Sequence, residues 1–150
     1  MENFDNITIQ ELREAEGFRT KIIVSENSPL SVWYGNIQDK KLIDLHDADI
    51  AKLIRQNLNI LYVIPQAIKR LQGNPVSGKR YEGELLFSLL EVDAEFWKAN
   101  LEISSLVMKF LEQLHNNEVK FPNDFEWGDS EQEQEFYLKV EEILLFLRSI

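Results

Sequence analysis

Few residues in this sequence have the types and spacing that chemistry requires. The two histidines, His46 and His115, lie far apart, and neither has a carboxylate or histidine partner at the spacing of a helical zinc site. There is no cysteine, which excludes thiolate chemistry and disulfides and suits a reducing compartment. No nucleophile elbow, Walker loop or dinucleotide-binding glycine motif occurs. The run Ser77-Gly78-Lys79-Arg80 has the glycine and cations of a phosphate loop, but no strand precedes it, and a solvated turn is the simpler reading. The expectation is a protein with no catalytic residue, no cofactor and no metal.

The carboxylates are more informative. Glu131, Glu133 and Glu135 alternate with glutamines and so fan around a helix. Asp124, Glu126 and Asp129 differ, because Phe125 and Trp127 stand between them. Acids steer a basic partner and set specificity, while aromatic side chains supply contact energy. The candidate partner-binding set is therefore Asp124, Glu126, Trp127, Asp129 and Glu131. A rival patch is Tyr81, Glu82 and Glu84 at the start of a central helix. For Phe121, Phe125 and Trp127 the other reading is a loop that folds its rings back onto the core.

Net charge places a basic partner in view. The chain carries −10 overall, but residues 39–81 hold 4 acids against 8 bases, whereas 124–150 hold 8 against 2. Such an acidic surface disfavours direct contact with nucleic acid or an anionic membrane. The N-terminal MENFDNITIQ lacks a basic region followed by an apolar one, so no signal peptide is expected, and a cytoplasmic location follows. Apolar runs are too short to span a bilayer.

The elements that must position these residues read as helices. A length of 150 residues suits one domain, 1–150, with a substantial core. Thr8 and Glu11 have capping-box spacing, and Gly17 should stop the helix they open. Residues 20–24 are β-branched and admit a minor short strand, while Ser28-Pro29 can open a helical turn. A helix beginning at Asp44 or His46 should end near Asn57; a second, containing Pro65, should end at Gly73-Asn74-Pro75. The NPVSGK loop then reverses the chain into a helix with Glu82 and Glu84 in its first turn, where the dipole favours carboxylates. Asp93 caps another, running towards His115 with a break near Asn100. The polar, aromatic-spiked VKFPNDFEWGDSEQEQ is a linker, and Asp129 or Ser130 caps a last helix with Phe136, Val140, Ile143, Leu144 and Leu147 as its stripe. The expected fold is all-α, a single compact multi-helix domain of five to seven helices.

The ordered set Ile54 and Gln56, Ile64 and Pro65, Asn74 and Pro75, Tyr81, Gly83, Glu84, Leu85 and Leu86, then Phe96 and Trp97 resembles the helical core of contact-dependent growth inhibition immunity proteins. The likeness spans residues 44–97, a little over a third of the chain. Arg55 departs from it where the pattern has glycine, and Glu84 where it has aspartate; nothing carries over beyond Leu101. The resemblance implies a bacterial antidote that binds the toxic C-terminal domain of a contact-dependent effector, a basic protein and commonly a nuclease that cleaves transfer RNA. The alternative is an acidic helical adaptor for a basic protein partner, with no toxin involved.

Overall fold

The computed structural model describes residues 3–18 and 23–150, and these divide into two compact units, residues 1–46 and 47–150. In the first unit, helix α1 (Ile9–Ala15) opens with the capping box: the Thr8 hydroxyl accepts from the Glu11 N–H and the Glu11 carboxylate accepts from the Thr8 N–H. Gly17, at φ +101, ends it in a conformation a side chain would strain. Ser28 caps helix α2 (Pro29–Asn36) through the Ser31 N–H, with Pro29 in the first turn where no donor is missed. An isolated antiparallel bridge joins Thr8 and Lys41. The short strand at 20–24 falls mostly outside the described residues, and Ile23 and Val24 have no regular structure.

The second unit is built from helices α3 (Asp47–Arg55), α4 (Ile60–Gly73), α5 (Glu84–Phe87), α6 (Ala94–Ala99), α7 (Leu101–His115) and α8 (Ser130–Arg148). Helix α3 packs on α4 and α5, α4 on α7, and α7 on both α6 and α8. Ile50, Leu53, Ile64, Ile68, Leu71, Leu85, Leu86, Trp97, Val107, Phe110 and Leu111 are buried between them. Among the described residues no strand is present, and the architecture is all-α.

Helix ends follow the local chemistry. Helix α3 closes with Asn57 left-handed (φ 56), the Asn57 N–H bonding to the Ile54 carbonyl and the Leu58 N–H to the Leu53 carbonyl. Asn117 (φ 60) closes α7 the same way, with Glu118 N–H reaching the Gln113 carbonyl. Asparagine is the non-glycine residue best suited to this conformation. Pro65 lies in the second turn of α4 and leaves the Leu61 carbonyl without its usual donor, on a side where Leu61 is exposed.

Two expectations need correcting. Helix α3 starts at Asp47, since residues 42–44 form a separate 3₁₀ turn. The helix expected to hold Glu82 and Glu84 in its first turn starts only at Glu84, with left-handed Gly83 (φ 88) before it and Glu82 outside. It changes to a 3₁₀ turn at Ser88–Glu91 after one α-turn, where the Ser88 hydroxyl donates to the Leu85 carbonyl.

Candidate partner-binding surface

The loop from Asn74 to Gly83 is organised around one carboxylate. Glu84 is buried, and its Oε1 accepts from the Lys79 N–H at 3.0 Å and the Arg80 N–H at 3.3 Å. Its Oε2 accepts from Arg80 Nε at 2.7 Å and lies 3.5 Å from Arg55 Nη1. Burial alone would raise this carboxyl's pKa. The Arg80 side chain, the two N–H groups and the Arg80 charge outweigh burial, and the group sits below its ordinary value. The same hydrogen bond and charge raise Arg80. Ser77-Gly78-Lys79-Arg80 is thus an anion-binding turn whose anion is supplied by the chain itself, which removes the phosphate reading.

The fold sets Arg55 and Glu84, both departures from the resemblance, against each other. A second network ties the same loop to the helices: Asp47 pairs with Arg70 at 2.9 Å and accepts from the Ser77 hydroxyl, while Arg70 Nε donates to Gln66. Three arginines of the basic stretch 39–81 are therefore held by carboxylates of their own unit.

The C-terminal segment is organised by rings. Phe121 stacks on Phe125 at 5.7 Å, and Trp127 meets Phe125 edge-on at 4.8 Å and Phe136 of α8 at 5.2 Å. These rings fold back, half-buried, while Asp124, Glu126, Asp129 and Glu131 stay exposed. The Asp129 carboxylate accepts from the Gln132 N–H at 2.7 Å and caps α8. Tyr137 lies beside this cluster, its hydroxyl pKa raised by burial and by the neighbouring Glu133 charge.

The ring line continues beyond this segment. Phe136 touches Phe87 at 5.9 Å, and Phe87 stacks on Tyr81 at 6.2 Å. Tyr81 and Glu82 of one candidate patch and Trp127 of the other consequently border one groove of about 430 Å³. It is lined also by Phe87 of α5, by residues of the 3₁₀ turn after it, and by Phe136 and further residues of α8, whereas Asp124, Glu126, Asp129 and Glu131 do not line it. Of the sequence candidates, Tyr81, Glu82 and Trp127 line it. Glu84 does not: it lies inside and holds the loop that presents Tyr81 and Glu82. Glu91, Glu135 and Lys139 also line the groove and were missed. Their only sequence signal is a charge beside an apolar run; the packing of α8 brings Glu135 and Lys139 to Tyr81, and the 3₁₀ turn after α5 brings Glu91.

His46 and His115 are exposed, and no group of three or more potential metal ligands is found among the described residues. No helix among them is long and apolar enough to cross a membrane.

Fold and groove together define an all-α protein whose exposed acids surround an aromatic floor. The model of the family described as CDI immunity proteins matches residues 14–107, more than half of the chain, and the protein belongs to that family. Membership implies immunity to a toxin of contact-dependent growth inhibition. No curated protein matches the chain.

Proposed function

We propose that the protein binds and neutralises, in the cytoplasm and without catalysis of its own, a toxin domain that is a nuclease with a basic cleft, transfer RNA being the favoured substrate. The observation that carries this reading is the acidic rim around an aromatic floor, in a chain of the immunity family. A nuclease cleft must be basic to hold a phosphate backbone, and an acidic surface competes for it directly. Asp124, Glu126 and Glu131 steer the encounter; Tyr81, Glu82 and Trp127 make the contact; Glu84 and Asp129 hold the elements that carry them. Steering can raise association well above the roughly 10⁵–10⁶ M⁻¹s⁻¹ of unsteered docking, which suits an antidote that must leave little toxin free.

The test uses the toxin domain encoded by the adjacent upstream gene. The purified pair should form a stable complex, RNA cleavage by the domain should stop at stoichiometric inhibitor, and cells expressing both should grow. A domain that binds but cleaves no nucleic acid would leave immunity standing and remove the nuclease. A chain that neither binds nor protects, yet captures another basic host protein, would favour the adaptor reading.

A further inference from the structure

The groove between α5 and α8 has a composition that selects its occupant. Its floor is a continuous line of rings, Tyr81, Phe87, Phe136 and Trp127, with adjacent centroids 5.2 to 6.2 Å apart. Around it stand three carboxylates, Glu82, Glu91 and Glu135, and one ammonium, Lys139. Among the described residues none of these four side chains forms a salt bridge, in contrast to Glu84 and Asp47, whose partners are fixed. Tyr81 is about half exposed, so its ring is available to an incoming group.

An aromatic floor with unpaired carboxylates around it favours a flat cation. A guanidinium stacks on ring faces, presents several donors in its plane to carboxylates, and is shed of water more easily than an ammonium. An apolar side chain would gain nothing from the three exposed carboxylates, and a phosphate or acidic residue would be repelled. A second copy of this chain would bring another −10 of charge and is disfavoured for the same reason.

We propose that this groove takes an arginine side chain presented by a segment of the basic partner, the guanidinium lying over the Tyr81–Trp127 ring line and bonding to Glu82, Glu91 and Glu135. The assignment deepens the reading of a basic toxin partner and rests on it for the identity of that partner, not for the chemistry of the groove.

Isotope-labelled full-length protein titrated with an acetylated, amidated Gly-Arg-Gly-Arg-Gly peptide tests it. At low salt the largest chemical-shift changes should fall on the Trp127 indole N–H and on Tyr81, Phe87 and Lys139. The combined variant Glu82→Gln, Glu91→Gln, Glu135→Gln changes only exposed positions and should bind at least about fivefold more weakly. Lys139→Gln should bind more tightly than the unaltered protein. Shifts centred elsewhere, an undiminished affinity in the triple variant, or equal affinity for the matching lysine peptide would overturn the assignment. The upstream toxin domain separates the two readings. A toxin that binds the triple variant as it binds the unaltered protein sinks the groove and leaves immunity intact. A peptide that binds in the groove beside a toxin domain that does not bind at all supports the groove and sinks the immunity reading.

Discussion

The loop at 74–83 and the segment at 117–129 are both irregular connections that deliver residues to one groove, and they are held by opposite physics. The first is pinned chiefly by the buried Glu84 carboxylate, which satisfies two N–H groups and meets two guanidinium groups, with Asp47 holding the Ser77 hydroxyl as a second polar tie. The second is pinned by four rings, Phe121, Phe125, Trp127 and Phe136, and its acids other than the capping Asp129 are left to solvent. Polar pinning fixes a conformation and makes it vulnerable to one substitution and to acid. Ring packing spreads the same task over several side chains and is indifferent to pH. The contrast explains why neighbouring glutamates and aspartates have unlike roles: Glu84 has no freedom to meet a partner, and Glu126 has little else to do.

The largest break should come at Glu84. Glu84→Ala leaves part-buried donors without their acceptor and the Arg55 charge without its partner, and should cost about 3 kcal/mol in urea unfolding. Glu84→Gln should cost less, because an amide oxygen can still accept from the two N–H groups. Acid sharpens the same point. The folded carboxyl lies below its ordinary value, so its stabilisation is complete above the unfolded value of about 4.3 and is lost as pH falls through the folded one. Glu84→Gln should flatten that part of the stability curve; an unchanged acid limb would mean the carboxylate is not what pins the loop.

Trp127→Ala comes next, at about 2 kcal/mol, since the ring is half-buried and its neighbours can partly close over the gap. Hydrogen exchange should quicken across 121–129 and stay unchanged across 74–83. Smaller still is Asp129→Ala, which removes the α8 cap and should cost about 1 kcal/mol by thermal unfolding.

Much of this was legible where a residue's own backbone chemistry decides the outcome. Thr8 with Glu11, Gly17, Ser28-Pro29 and Asp129 all mark helix ends as their types require, and the α8 stripe from Phe136 to Leu147 is buried as its spacing requires. The resemblance that led from Ile54 to Trp97 is upheld by the family match. The side-chain role of Glu84 was not legible. A glutamate after glycine at the head of an apolar run reads as a helix-dipole partner, and only the folded loop shows Lys79 and Arg80 wrapped around it. Nor could local sequence show that Tyr81 and Trp127, 46 positions apart, share a groove, because that depends on how α8 packs on α7. The helix that follows the NPVSGK loop tightens after Phe87, where the Ser88 hydroxyl competes for the Leu85 carbonyl, which propensity does not count.

The central claim is that exposed acids beside the ring cluster steer a basic toxin onto this groove. The most direct test is the association rate of the upstream-encoded toxin domain with the combined Asp124→Lys, Glu126→Lys, Glu131→Lys variant, from which the capping Asp129 is left out so that α8 stays intact. Affinity at low salt should fall by well over threefold (roughly 0.7 kcal/mol), chiefly through slower association, and the loss should shrink as salt is added. A folded variant whose affinity stays within about threefold at low salt, with an unaltered association rate, would contradict the account.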